Sequence, residues 1–458
     1  MKKSISVVVI LFMMLAMVVS TASAASNNST IGINVVLKGD ITDANLKTLA
    51  KYGKVRDVIY EIDALTMQIK AANLKTIQGL KFVAAANPDA SRTGAPIDTV
   101  AATDFTDGLS TWDLDAINVT DFGFNNRQVE YDGTGVYVAV LDTGLLDSWR
   151  QYFPEERIAE EYAIAFGGGG GEVGTVSSQP EKWQHDQNSH GTHVTSTILG
   201  YSMRGTPVNG VAPMATIIPV KVLNQNGSGW SSVVARGIEY VAELKEGPLA
   251  DYPVVINMSL GGPGLDAVEK AAIDYAISKG VIIVASAGNS GIAGMGYPGA
   301  YEPVISVAAS GYIGEWYPAA GGAWWYSMNV AEPTNPAQFY ITDFSSRAKA
   351  DQDLDVAAPG SWIVGPYQIN SGQISYYFLG GTSMASPHVA GIVALMAQKN
   401  PALTATEAES YLTGTAIPLP AGCRTVYTPS GATEDICWGD DATGSGLATA
   451  DAALNAIP

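Results

Sequence analysis

Apolar positions between residues 31 and 85 fall in short runs separated by polar turns. Ile31-Gly-Ile-Asn-Val-Val-Leu37 predicts a strand. Leu46, Leu49 and Ala50 recur at helical spacing within 43–52, behind Asp40 or Thr42 as a cap and ahead of Gly53, and predict a helix. Residues 58–62 and 65–69 predict two strands about the turn Asp63-Ala64. Residues 71–77 predict a second helix closed by Gly79, and 81–85 a last strand. The order βαββαβ is that of a small ferredoxin-like α+β unit. After Asn87-Pro88-Asp89 the periodicity lapses, and the polar stretch to about Gly108 predicts a linker.

Beyond the linker the pattern changes. Residues 136–141, 217–222, 254–258, 281–285 and 304–308 are continuously apolar, with helical patterns such as 233–244 and 265–279 between them. Strands apolar on both faces and separated by helices predict a doubly wound, mostly parallel sheet, an α/β fold. Residues 315–340 interrupt it with aromatics, Trp316, Trp324, Trp325 and Phe339 among them. A loop folded onto its own small core is expected there, with a hydrophobic substrate rim as the alternative. The glycine run 167–171 predicts a mobile loop.

The first 24 residues stand outside both patterns. Lys2 and Lys3, an apolar run from Ser4 to Val19 and the small residues Ala22-Ser23-Ala24 predict a cleaved secretory signal, hence a secreted protein. No later segment is long and apolar enough to span a membrane. In an exported chain Cys423 and Cys437, the two cysteines present, are expected to pair.

Charge sharpens the division into units. Residues 25–98 carry nine Lys/Arg against seven Asp/Glu, whereas 99–458 carry fourteen against 37. The two parts are expected to attract each other, and the acidic body repels phosphate, which excludes nucleic acid as a partner.

Candidate chemistry collects at strand ends, where open α/β sheets place their sites. One strand ends in Asp142-Thr143-Gly144, another runs into Ser259-Leu260-Gly261-Gly262, and a third into Ser286-Ala287-Gly288-Asn289. Ser383 precedes the helical pattern 384–398, where it could act as a nucleophile or simply as a helix cap. His388, five residues on, would point away from Ser383 on a helix and is expected to be structural. The other histidines, His185, His190 and His193, share one stretch. A metal site built from them is the alternative chemistry, although no glutamate stands in an H-E-x-x-H pattern.

Five segments carry a resemblance: Val138-Ala-Val-Leu-Asp-Thr-Gly144, Ser189-His-Gly-Thr-His-Val194, Asn257-Met-Ser-Leu-Gly-Gly262, Ala287-Gly-Asn-Ser-Gly291 and Gly381-Thr-Ser-Met-Ala-Ser-Pro-His-Val-Ala-Gly391. In this order they resemble the signature segments of subtilisin-like serine proteases, the subtilases, over about residues 110–458. The chain order Asp, His, Ser is that of subtilisin itself. The resemblance implies Ser383 as nucleophile, His190 as general base and Asp142 as the group orienting it, with Asn289 in the oxyanion hole. It implies Ser259, Leu260 and Gly261 as a substrate-binding edge, with Ala287 and Gly288 walling a side-chain pocket. It further implies a signal peptide at 1–24, an inhibitory propeptide at 25–98 and a catalytic domain at 99–458. The expected protein is a secreted, self-processed serine endopeptidase. It acts on proteins or peptides, needs no cofactor for catalysis, and has its own propeptide as intramolecular inhibitor. Structural calcium is an option the resemblance carries, with the acidic run 351–355 as a source of oxygen ligands; the metal ligands are not assigned. A catalytically silent relative acting as a binding module is the remaining alternative.

Overall fold

The structure, a computed structural model, describes residues 29–93, 98–101, 110–123, 126–167 and 174–458. The expected signal at 1–24 and most of the glycine run lie outside the described residues. The N-terminal unit comprises β1 (Thr30–Leu37), α1 (Asp43–Leu49), β2 (Gly53–Ile59), β3 (Ala64–Lys70), α2 (Leu74–Gln78) and β4 (Val83–Pro88). The sheet is antiparallel with strand order β2-β3-β1-β4. Ile33, Val35, Leu65 and Met67 point from it into a core shared with Leu49 and Ile77 of the helices. Thr42 caps α1 by accepting the Asn45 N–H at 3.2 Å. Two boundaries differ from expectation. The helix stops at Leu49 because Gly53 opens β2. Residues 60–62 form a 3-10 turn because Asp63, at φ +51°, reverses the chain there.

The expected linker is docked instead. It contains β5 (Ser91–Thr93) and β6 (Asp98–Ala101), and beyond it comes the short helix α3 (Trp112–Ala116). The larger unit continues with β7 (Tyr137–Asp142), β8 (Ile164–Gly167), β9 (Ser177–Ser178), α4 (His190–Leu199) and the hairpin β10 (Gly200–Met203) with β11 (Thr206–Asn209). Then follow β12 (Thr216–Lys221), β13 (Ser228–Trp230), α5 (Ser231–Glu246), β14 (Val254–Met258), α6 (Ala267–Ser278), β15 (Val281–Ser286) and β16 (Ile305–Tyr312). The last third holds α7 (Trp324–Ser327), β17 (Phe339–Ile341), β18 (Val356–Pro359), β19 (Ile363–Pro366), β20 (Tyr376–Gly380) and α8 (Thr382–Lys399).

The main sheet has the order β17-β16-β15-β14-β7-β12-β8-β9, with β18 also beside β16. Only the edge strands β9 and β17 run antiparallel to their neighbours. Strand residues alternate between two cores, as buried parallel strands must. Val138 and Val140 face the layer of α4 and α8, whereas Ala139 and Leu141 face α5 and α6. From β7 the chain winds outward to β8, returns through β12, then crosses to β14 on the other side. That reversal makes the carboxyl end of β7 the place where a site is expected.

The N-terminal unit lies on α5 and α6, with Ile59 and Ala64 joining the core on that side. The former linker follows it into the larger unit. Asp89 is 4% exposed and Arg92 0%. β5 pairs antiparallel with β13, and β6 with β20. Asp89 takes over the capping of α5, accepting the Ser232 N–H at 3.1 Å and the Ser231 and Ser232 hydroxyls at 2.9 and 2.6 Å. Asn87 does the same for α6, accepting the Ala267 N–H at 3.2 Å.

The aromatic insertion does not form a separate core. Trp324 and Trp325 are fully buried, Trp324 stacks on Phe378, and the cluster merges with the core under α8. Near the C-terminus, Cys423 and Cys437 face each other across a two-stranded hairpin and are disulfide-bonded. No helix among the described residues is long and apolar enough to cross a membrane.

Candidate active site

Asp142 is the last residue of β7 and His190 the first of α4; both are completely buried. The turn that delivers His190 is set by Asp186, which accepts the N–H groups of Asn188 (2.9 Å) and Ser189 (2.8 Å). Ser189, at φ +77°, then reverses the chain into the helix. The result is a tight pair: His190 Nδ1 lies 2.8 Å from Asp142 Oδ1 and 2.9 Å from Oδ2. Facing a carboxylate, Nδ1 carries the proton, which leaves the Nε2 lone pair available. Nε2 has no hydrogen-bond partner among the described residues.

Ser383 is the second residue of α8. Pro387, four residues on, has no N–H to give to the Ser383 carbonyl. Ser259 fills that gap: its hydroxyl donates to Ser383 O at 2.8 Å, and the Ser383 hydroxyl donates in return to Ser259 O at 3.1 Å. The missing helix bond thus ties the end of β14 to the serine. The Ser383 hydroxyl bonds Ser259 rather than His190.

Asn289 follows β15. Its Oδ1 accepts both the N–H and the hydroxyl of Thr382 at 2.9 Å. Because a backbone N–H can only donate, this fixes the amide's orientation and leaves Nδ2 as the unengaged end. A cleft of about 540 Å³ is lined by Gly261, Ser286, Gly288, Asn289, Thr382 and Ser383, among others. Gly288 has φ +101°, a conformation that suits glycine. Ser259, Leu260 and Ala287 are buried and are not among the lining residues. Ser286, within the strand end expected to wall the pocket, does line the cleft, whereas Thr382 and Asp186 were given no role by motif reading. Asp186 stands four residues before His190, in a stretch whose turn-forming Asp and Asn were a usable signal.

The remaining histidines go elsewhere. His185 is exposed and pairs with Asp147 at 3.0 Å. His193 Nε2 lies 3.1 Å from Ile363 O, and burial lowers its pKa to about 3, so it stays neutral. The rings of His185, His190 and His193 thus turn to different partners, which does not favour the alternative of a histidine metal site. His388 Nδ1 lies 2.8 Å from Met384 O and its Nε2 2.9 Å from Asp113 Oδ2, which fits the structural role expected of it. Among the described residues, three acidic groupings have ligand atoms mutually within 4.8 Å, one of them Asp353, Asp355 and Glu409.

Comparison with known proteins agrees with this geometry. The profile described as the subtilase family matches residues 133–449. Subtilisin DY of Bacillus licheniformis is 34% identical over 290 residues, 62% of this chain and 85% of that protein. Subtilisin Savinase of Lederbergia lenta is 33% identical over 321 residues, 70% of this chain and 91% of that one. Fervidolysin from Fervidobacterium pennivorans, described as a keratinolytic enzyme related to subtilisin, superposes with a TM-score of 0.66 at 26% identity. That superposition covers 94% of this chain but only 62% of fervidolysin, less than two thirds of its length.

Proposed function

The chain belongs to the subtilase family of serine endopeptidases, and from that premise we propose that Asp142, His190 and Ser383 form its catalytic triad. The observation that carries this reading is the buried Asp142–His190 pair with its free Nε2. For catalysis the Ser383 hydroxyl turns about Cα–Cβ from Ser259 O toward His190 Nε2. It attacks the peptide carbonyl as Nε2 takes its proton, and Asp142 stabilises the imidazolium. The carbonyl oxygen becomes an anion, met by Asn289 Nδ2 and the Ser383 N–H. Collapse expels the amine, which takes the proton from His190, and leaves an acyl-enzyme. Water, activated by the same nitrogen, hydrolyses that ester and restores the serine.

The protein is synthesised as a secreted zymogen. Residues 1–24 are the signal, 25–98 the propeptide and 99–458 the catalytic domain. The docking of β5 on β13, which also sets Ser91 against Gly262 of the Ser383 cleft, supports inhibition by occupation of a strand edge beside that cleft. Peptides bind by adding as a strand to such edges, and the partners are protein or peptide substrates and the propeptide itself, with no nucleic acid or membrane. Catalysis uses no cofactor. Asp353, Asp355 and Glu409 offer an oxygen-only set of the kind that suits structural calcium. The test is processing: the Ser383→Ala chain should accumulate as full-length precursor. Normal maturation of that variant in isolation contradicts self-cleavage.

A further inference from the structure

The expected linker carries a completely buried arginine. Arg92 Nε lies 2.8 and 2.9 Å from the two carboxylate oxygens of Glu269, and Nη2 also bonds Glu269 Oε2. Nη2 donates further to Gly264 O at 3.1 Å, and Nη1 to Ser91 O at 3.0 Å. Neither side chain of the pair is exposed to solvent.

The place of this pair matters as much as its geometry. Ser91–Thr93 lies on the edge strand β13 in the manner of an added peptide strand, with Arg92 opposite Gly229. On the other side, a Cβ at Gly262 would lie 2.2 Å from Ser91 O and 2.8 Å from Arg92 Nη1, so the slot exists because residue 262 is glycine. Gly262 also lines the Ser383 cleft. The register is antiparallel, so the segment runs from Trp230 toward Ser228. Just beyond Ser228, Gln225 O accepts from Asn188, two residues before His190. The chain is met again at Asp98, opposite Gly380, three residues before Ser383. Arg92 therefore precedes the reacting centre in chain direction, and Asp98 follows it.

Glu269 contrasts with its neighbour Asp266. Asp266 accepts the N–H groups of Val268 (2.9 Å) and Glu269 (3.2 Å) from its own helix. Every hydrogen bond to the Glu269 carboxylate among the described residues comes from Arg92. Once the N-terminal segment departs, Asp266 keeps its helix partners, whereas Glu269 loses every hydrogen-bond donor it has among the described residues. A substrate arginine would restore the two-oxygen pairing that Arg92 provides.

We infer that Glu269 is a specificity-determining residue, selecting substrates that place an arginine in the slot held by Arg92, on the N-terminal side of the scissile bond. The inference rests on the endopeptidase reading above. The segment around Arg92 is then a substrate mimic that the enzyme carries in its own chain. Arginine suits the slot better than lysine because its planar fork meets both carboxylate oxygens and Gly264 O together.

The test profiles the mature enzyme, obtained from the full chain, against a peptide library randomised on both sides of the cut. Arginine should be enriched at one position N-terminal to it. Two peptides differing only there, Arg against Leu, should differ in kcat/KM by about 10²-fold or more. Glu269→Gln should bring that ratio to within several-fold, and Glu269→Leu should invert it. The ratio is internal to each variant, so lower overall activity does not blur it. Cleavage by the wild type without arginine enrichment overturns the inference with no variant needed, as does an unchanged ratio in Glu269→Gln. Failure of the endopeptidase reading looks different: no library peptide is cut and no phosphonate adduct forms on Ser383.

Discussion

Two aspartate–histidine pairs lie buried in this molecule at almost the same spacing. Asp142 and His190 approach to 2.8 Å, Asp113 and His388 to 2.9 Å. They differ in what the second ring nitrogen does. His388 has Met384 O on one side and Asp113 on the other, so both nitrogens are committed. His190 spends Nδ1 on Asp142 and leaves Nε2 free. One pair is a clamp between α8 and the segment at Asp113; the other belongs to the proposed triad, where its open nitrogen would serve as the base. Geometry within the pair does not separate the two roles, and the vacancy on the far nitrogen does.

The contrast can be broken at several points. His190→Ala should lower kcat by about 10⁶, the scale found for this residue type in subtilisin itself, and leave the melting temperature nearly unchanged. Asp142→Asn should cost about 10⁴, since Nδ1 then faces an amide and the tautomer is no longer held. Asn289→Leu should cost roughly 10²–10³ in kcat with KM little altered, again a magnitude known from subtilisin. Steady-state kinetics normalised to the concentration of folded mature protein measures all three. Asp113→Ala should do the reverse: it should lower unfolding free energy by about 3–5 kcal/mol and keep kcat/KM per active site within a few-fold. Denaturant unfolding checks that. A large activity loss in Asp113→Ala at unchanged stability would erase the distinction.

The smallest effect concerns a buried carboxyl outside both pairs. Burial raises the pKa of Glu315 to about 8, although Tyr312 N, Tyr340 OH and Ser361 OH bond to it. Its folded value lies above the unfolded one, so the fold retains a proton that the unfolded chain releases. That contribution to stability is lost as pH rises from about 4.5 to 8, and is absent above 8. Burial likewise raises Asp115 to about 7, which adds to the same slope. Glu315→Gln should raise the melting temperature at pH 9 by about 2–4 °C and flatten its pH dependence. An identical slope in wild type and variant would remove Glu315 from the explanation.

Apolar pattern foretold most of the architecture because it records burial directly. Continuous runs such as 254–258 became central parallel strands, and the alternation over 31–85 became the small antiparallel sheet. The motif residues were legible for another reason: a strand end and a helix start put Asn289 and Ser383 on one cleft. Asp89 and the described residues of the stretch after it, 90–93 and 98–101, were misjudged. Their polarity suggested a solvated linker, yet Asp89 and Arg92 are buried because helix N-termini and Glu269 receive them. Polarity predicts exposure only when no partner waits elsewhere in the chain, and those partners lie some 140 to 180 residues away. The aromatic insertion misled in the same manner, since Phe378, on which Trp324 stacks, belongs to a distant strand.

Covalent labelling addresses the vacant nitrogen most directly. A fluorophosphonate is added to mature wild type and to His190→Ala freed of its N-terminal segment by wild-type enzyme added in trans and then removed, and the adduct is located by mass spectrometry. Wild type should carry one adduct, on Ser383, and the variant should carry almost none over the same interval. Equal labelling of Ser383 in both, or an adduct on a different serine in the wild type, would contradict the assignment of His190 as the base that activates it.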